Sequence, residues 1–338
     1  MKTIKELDVF MCRPSSALIQ DIRTMKGNVL VLGAGGKMGP TLCKLLANAV
    51  KEAGTSHQVT AVSRYTDDAV VKDLDDHGIH VIKADLLDDE ALQRLPDVEN
   101  VIYMAGRKFG TSEDASLTWA MNTYLPGRVA LKYRNSRIVV FSSGNVYPFV
   151  PVTSGGATEH TMLDPVGDYA QSCVGRENIF RYFSNMHQTE ILLFRLNYAI
   201  DLRYGILLEV AKAVKNSQPV DLSSGNVNVI WQGCANEYAI RSLLHCQYPA
   251  HILNVTGPET LSIRWIAHEF AKRFGTSPVF SGFEQASCLL SNASKAFHLF
   301  GYPTVTVREM MDLTCEWVLN QGITSDKPTH FQERKGQF

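Results

Sequence analysis

Two cysteines separated by two residues occur nowhere in this chain, and no apolar run approaches the roughly 20 residues of a membrane span. The cysteines that are present, Cys12, Cys43, Cys173, Cys234, Cys246, Cys288 and Cys315, are scattered and odd in number. Neither a disulfide framework nor a metal site is therefore expected. Residues 1–23 mix Lys2, Lys5, Glu6, Asp8, Arg13 and Asp21 with apolar side chains, which breaks up the core a signal peptide needs. The expectation is a cytoplasmic chain without a membrane partner. A long basic run is also missing, and the formal charge of −1 gives no electrostatic reason to expect nucleic acid. Internal repeats and low-complexity tracts are absent as well. With 45% hydrophobic and 20% charged residues, the composition excludes a disordered or fibrous chain.

What is there is a rhythm. Apolar, often β-branched runs recur at 29–32, 59–62, 81–82, 101–104, 138–141, 191–196 and 252–255. Between most of them lie segments of helical period. Leu42, Leu45, Leu46, Ala49 and Val50, for example, mark one face of a helix. Strands alternating with such helices predict an α/β fold, a Rossmann-type doubly wound parallel sheet with a smaller C-terminal substrate lobe. The expected division is an N-terminal extension over 1–27, an NAD(P)-binding unit over 28–200, a mainly substrate-binding lobe over 201–325 with some segments returning to the sheet, and a tail over 326–338. A loop rich in Gly, Ser, Thr and Pro runs from Pro148 to Gly167, where active-site loops of this architecture lie.

The first run leads into Gly33-Ala34-Gly35-Gly36-Lys37-Met38-Gly39-Pro40. Strand, glycine turn and helix start form a phosphate cradle: glycine allows the turn, and the free N–H groups of the helix attract an anion. The spacing is G-x-x-G-x-x-G, because Met38 takes the place that a third glycine would hold in the commoner motif. The second run ends Val62-Ser63-Arg64. An acid there favours NAD; a small hydroxyl followed by a guanidinium suits a 2′-phosphate, so NADP is expected ahead of NAD. Arg64 is equally readable as a solvated side chain. Asp85, followed by Leu86, is placed to meet the adenine, or simply to form a turn.

Several further motifs follow in order: Met104-Ala105-Gly106, Asn122, Phe141-Ser142-Ser143-Gly144-Asn145-Val146-Tyr147, Asp168-Tyr169-Ala170-Gln171-Ser172 and Arg195-Leu196-Asn197-Tyr198. Together with the glycine turn and Asp85, these make the chain resemble the extended short-chain dehydrogenases/reductases, the NAD-dependent epimerase/dehydratase family, well over about 28–200 and loosely beyond. A glycine turn like this one also occurs in dihydrodipicolinate reductases, which share none of the later motifs. The family resemblance implies that Ser143 orients a substrate oxygen and that Tyr169 is the general acid/base. It implies cofactor contacts from Gly33, Gly35, Gly36, Lys37, Met38, Gly39, Ser63, Arg64, Asp85, Leu86, Met104, Ala105, Gly106, Asn122, Tyr169 and Cys173. It also implies a homodimer formed through the helices that contain Asn122 and Tyr169. Chemically, a phenol beside a nicotinamide can exchange the proton that accompanies hydride transfer at a carbinol carbon.

One departure stands out: the family's Y-x-x-x-K reads Tyr169 to Cys173 here, so the lysine that lowers the phenol's pKa is gone. Lys108, Arg107 and Arg176 are candidate substitutes, Lys108 first. Cys173 itself reads more naturally as a small buried residue than as a nucleophile. For the substrate, the acidic pair that nucleotide-sugar dehydratases carry after the serine is replaced by Gly144-Asn145, and the stretch from Asn228 to Glu237 lacks an arginine and paired aspartates. A free sugar, sugar acid or similar small polyol is therefore expected. Its lining is expected from Arg107, Ser143, Asn145, Arg195, Asn197 and Tyr198, with Trp231 and Gln232 from the lobe. The alternative is a nicotinamide-nucleotide-binding sensor without turnover, which the missing lysine would suit.

Overall fold

The computed structural model describes residues 1–108, 110, 114–325 and 327–336. Of the expected tail, 326, 337 and 338 lie outside these. All seven apolar runs become strands of one parallel sheet: Val29–Leu32 (β1), Val59–Ser63 (β2), His80–Lys83 (β3), Asn100–Tyr103 (β4), Arg137–Ser143 (β5), Ile191–Leu196 (β6) and His251–Val255 (β7). Their order is β7-β6-β5-β4-β1-β2-β3. The last strand comes from the C-terminal half and returns to pair with β6, from His251 beside Leu192 to Val255 beside Leu196.

Alternation along the strands feeds two separate cores. Val29, Val31, Ile102, Val139, Leu192 and Phe194 face one side. Leu30, Leu32, Val101, Tyr103, Val140 and Leu193 face the other. The strands read as continuous apolar runs because helices cover both sides.

On the first side, α1 (Ile4–Met11) and α2 (Ser16–Thr24) pack with α3 (Gly39–Ala53), which follows the glycine turn. Beyond β2 and β3 come α4 (Asp68–Asp76) and α5 (Asp89–Arg94). The second side is built from α6 (Ala115–Trp119), a π-helical turn at Ala120–Tyr124, α7 (Leu125–Lys132) and the long α8 (Gly167–His187). The C-terminal half adds α9 (Ile206–Lys215), α10 (Gln232–Arg241), α11 (Ile263–Phe274), α12 (Ser294–Phe300) and α13 (Val307–Leu319), with four short two-stranded pairings.

The N-terminal extension belongs to its own chain. Lys44 of α3 binds Asp8 at 2.7 Å and Asp73 at 2.9 Å, while Arg241 of α10 holds Asp21 at 2.6 Å. At the other end, residues 327–336 leave α13 and cross the lobe as a strap. Thr329 gives two hydrogen bonds to Glu209 of α9, and Arg334 stacks on Phe149 while binding the Ser287 carbonyl at 2.8 Å.

Candidate active site

The strand order turns back at β1, so the carboxyl ends of β1, β2 and β4 open a crevice where ligands of this sheet type bind. Gly33 turns the chain there at φ +89°, and a Cβ on it would come within 2.5 Å of the Ala105 nitrogen. Gly36 has open space instead, its nearest neighbour being its own turn. The result is a shallow cradle in front of α3, with no side chain in the way of an approaching phosphate. Ser63, Arg64, Asp85, Leu86, Met104, Ala105 and Gly106 line the same cleft.

Within that cleft Ser63 lies against Gly35, Arg64 is exposed, and Asp85 caps its own turn by accepting from the Leu87 N–H at 3.0 Å. Tyr65 is a lining residue that sequence reasoning passed over. It is buried at φ +43°, and its hydroxyl has no partner among the described residues. A buried phenol without a partner is costly, and a ligand group would relieve it. The glycine cradle and this orphaned hydroxyl together fit a dinucleotide.

Asn122 sits in the π-helical turn, fully buried, and every arm of its amide is used. Its Oδ1 accepts from the Arg107 N–H and from Arg176, both at 2.8 Å; its Nδ2 donates to the Arg107 carbonyl and to Ser172 Oγ, both at 2.9 Å. Asn122 thus fastens the loop after β4 to α8. It is a brace behind the cleft rather than one of its lining groups. Arg107 itself turns into its own loop, towards the Gly110 carbonyl and Asp114.

Ser143 ends β5 and Tyr169 lies in the first turn of α8, where the serine hydroxyl is near enough to hold the phenol's pKa down against burial. Ser143 is held in addition by Asn145, whose N–H and Oδ1 both meet its hydroxyl at 3.1 Å. Burial pushes the Tyr169 phenol above its ordinary range, the neighbouring Cys173 adds to this, and the Arg176 guanidinium opposes it. Cys173 is completely buried beside Val146, Tyr147 and Leu290, its thiol pushed up by the same burial. Of the candidate substitutes for the missing lysine, Arg176 puts its charge on the phenol. Its guanidinium is fixed by the Phe141 carbonyl at 2.7 Å and by Asn122. Lys108 stands 6.0 Å from the centre of the Tyr169 ring, and its charge acts on Cys173.

Three residues expected in the substrate lining are turned into the protein. Arg195 lies on β6 between Ser142 of β5 and Asn254 of β7, so strand register places three polar residues in one row across the sheet. Glu177 of α8 meets them: it receives two hydrogen bonds from Arg195 and one from Ser142, while Arg195 also binds Tyr147, which in turn donates to Asn254. At 1% exposure Arg195 is not available to a substrate carboxylate. Trp231 meets Phe10 edge-on, and Gln232 Nε2 donates to Thr41 and Met11 while its Oε1 finds no partner among the described residues. Sequence offers no sign of this, because the partners come from the N-terminal helices.

Asn197 is buried against Gly144 and reaches the Leu289 carbonyl. Tyr198, at φ +42°, lines a small pocket with Asn145. The roof of that pocket is the strap, through His330, Glu333 and Arg334. Lys37, expected among the cofactor ligands, instead sends its ammonium across to the Ala199 carbonyl, 3.1 Å away.

The sequence pattern of the NAD dependent epimerase/dehydratase family matches residues 29–200. No curated protein matches. Among solved structures, the chain is similar to UDP-glucuronic acid 4-epimerase from Bacillus cereus, bound to a fluorinated UDP-sugar acid and NAD, at 16% identity and TM-score 0.71, over 87% of this chain and 99% of that one. UDP-glucose 4-epimerase from Thermus thermophilus with NAD follows at 19% identity and TM-score 0.69, over 86% and 98%. The dTDP-glucose 4,6-dehydratase from Streptomyces venezuelae with NAD is 18% identical, at TM-score 0.72, over 86% and 97%. The NADP preference read from Ser63 and Arg64 is corrected by these complexes, since all three hold NAD. The physical reason is that an exposed arginine at this position need not grip a phosphate.

Proposed function

Because the chain belongs to the NAD-dependent epimerase/dehydratase family, we propose that it moves hydride between NAD and a hydroxyl-bearing carbon of a sugar-like substrate, with Tyr169 as general acid/base and Ser143 orienting the reacting oxygen. The observation that carries this reading is the nearness of Ser143, at the carboxyl end of β5, to Tyr169, in the first turn of α8, beside the glycine-turn cleft. NAD, when bound, supplies the hydride acceptor or donor. The chain's own part is to hold it: Gly33 and Gly36 leave room for the pyrophosphate at the start of α3, and Tyr65 and Asp85 face the adenosine half.

Proton handling follows from the absent lysine. The Tyr169 phenol is buried and neutral across the physiological range, so it is ready to give its proton to a carbonyl oxygen as hydride arrives. Taking a proton from an alcohol is harder, because burial holds the phenol protonated and the Arg176 guanidinium and the Ser143 hydroxyl only oppose it. The chain is accordingly read as better suited to reduction than to oxidation. Similar structures act on nucleotide sugars by their names. Here the Gly144-Asn145 pair and the buried Trp231-Gln232 segment favour a free sugar, sugar acid or small polyol instead.

A homodimer is part of the proposal. Trp119, Tyr124 and Leu131 from α6, the π-helical turn and α7, with Tyr182 and Met186 of α8, expose large apolar groups around one groove.

The direct test is Tyr169→Phe. Turnover is expected to fall at least about 100-fold, while NAD affinity, read by calorimetry, stays nearly unchanged because a single hydroxyl is removed. Unchanged turnover would remove Tyr169 from the mechanism, and a wild-type protein that binds no NAD would sink the whole reading.

A further inference from the structure

We propose that Glu177 is a positioning residue for the reaction: it sets the height of α8 over β5 and thereby the spacing between Tyr169 and Ser143. This rests on the oxidoreductase reading above and adds to it a residue that never meets substrate. Glu177 lies eight residues after Tyr169 on α8, about 12 Å along the helix axis, and is 1% exposed. Its Oε1 accepts from Ser142 Oγ at 2.6 Å and from Arg195 Nε at 2.8 Å, and its Oε2 accepts from Arg195 Nη2 at 2.5 Å. The carboxylate is thereby bound to two adjacent strands at once, since Ser142 and Arg195 are register partners on β5 and β6.

Ser142 directly precedes Ser143, so the strand residue that Glu177 grips is the chain neighbour of the hydroxyl assigned to the reacting oxygen. The residue before it is held from the same helix: Arg176 donates to the Phe141 carbonyl at 2.7 Å and to Asn122 Oδ1 at 2.8 Å. Two consecutive residues of α8 therefore bind two consecutive residues of β5. Helices bend only gently over two turns, so fixing α8 at this point fixes where its first turn, with Tyr169, comes down beside Ser143.

Adhesion alone does not call for this arrangement. A buried ion pair gives back little more than the hydration both charges lose, and apolar groups of similar volume would hold a helix to a sheet as well. Apolar contacts tolerate sliding, whereas hydrogen bonds are directional and admit one register. The feature that needs a single register here is the reacting pair, because proton transfer requires heavy atoms within about 2.6–3.2 Å of each other. Arg195 completes the frame by donating from Nη1 to Tyr147, whose hydroxyl reaches Asn254 of β7, so three strands and α8 share one set of bonds.

The experiment compares three full-length proteins saturated with NAD: wild type, Ser142→Ala, and the triple variant Ser142→Ala, Glu177→Leu, Arg195→Met. Ser142→Ala cuts the tie to β5 and leaves Glu177 paired with Arg195, so it is expected to fold with Tm lowered by no more than about 4 °C. The triple variant removes both charges together and so leaves neither buried alone. In crystal structures both are expected to change the spacing of the Tyr169 and Ser143 hydroxyls by about 0.5 Å or more. With NADH and fructose or glucuronate as probes, kcat is expected to fall about tenfold or more, with KM and NAD affinity within about twofold of wild type. Added to Tyr169→Phe, Ser142→Ala is expected to cost less than about twofold further, because no phenol is left to position. If neither probe is turned over, the spacing alone decides. The proposal is overturned if both variants keep the wild-type spacing, if their kcat stays within about twofold of wild type, or if Ser142→Ala costs as much without the Tyr169 hydroxyl as with it, which would leave the cluster purely structural. Failure of the oxidoreductase reading looks different: wild type would then bind no NAD, or Tyr169→Phe would keep full turnover.

Discussion

Cys173 occupies the place of an ammonium group, and the consequence is electrostatic. A unit charge about 4 Å from the phenol is worth roughly 4 kcal/mol at an effective dielectric of about 20, or about three pKa units. Without it, burial dominates and the Tyr169 phenol is raised. Cys173→Lys is therefore expected to move the ascending limb of the pH–rate profile for alcohol oxidation to lower pH by about one to three units, because a lower phenol pKa makes the phenolate available at lower pH. An unmoved profile would mean that another cation already does this, or that Tyr169 does not titrate in the slow step. Ser143 and Tyr169 were legible in the sequence because both stand in motifs with fixed order. Arg195 was not: a polar residue near a strand end reads as lining, and only the register with Ser142 and Asn254, and the approach of Glu177, shows it to be internal. Removing one partner of such a buried pair typically destabilises by about 3–5 kcal/mol, which is a structural role of real size.

At the scale of elements, three devices frame the cleft. The glycine turn holds its shape through Gly33, where any side chain would strike Ala105. The π-helical turn is the second device, since its extra residue aims Asn122 at both Arg107 and α8. The strap is the third, and it was the least legible: residues after α13 read as a plain tail because their polar, glycine-containing sequence has no period. Its anchors are long-range, with Thr329 on Glu209, Arg334 on Phe149 and Ser287, and Gly336 against Val166 and Gly167, just ahead of Tyr169. Arg334→Ala removes two hydrogen bonds and a cation–π contact at 4.0 Å. It is expected to raise KM several-fold with kcat nearly unchanged, and to speed chymotryptic cleavage after Phe331, which is buried while the strap is in place. If KM and cleavage both stay as in wild type, the strap does not cover the substrate.

For the whole molecule, the unpaired apolar groove on α6, α7 and α8 is the feature that monomeric folding leaves unexplained. Large exposed groups such as Tyr124, 61% exposed, and Met186, 54% exposed, sit on a face opposite the buried N-terminal helices. The extension is tied to its own chain through Asp8, Asp21 and the amino terminus, which contacts Glu316, and the groove is the face on which the proposed second copy would sit. Sedimentation is expected to give a dimer for wild type and a monomer for the Leu131→Glu, Met186→Glu double variant, since two charges cannot be buried in that contact without large penalty. A wild-type monomer at micromolar concentration would refute this assembly.

The seven strands and the glycine turn followed from the sequence alone, because each depends on local period or on a motif whose spacing survives in one dimension, and Ser143 and Tyr169 were singled out by the family resemblance. Val29 to Leu32 reads as a buried strand wherever its neighbours lie, and a G-x-x-G-x-x-G between strand and helix has few other uses. What the tertiary structure decided was direction. Whether Arg195, Gln232 or Lys37 faces substrate, core or cofactor depends on which distant groups meet it: Glu177 from α8, Thr41 from α3 and Ala199 after β6. Those meetings are set by the packing of elements far apart in sequence. A linear pattern fixes which face of a strand a side chain takes, but not what waits on that side.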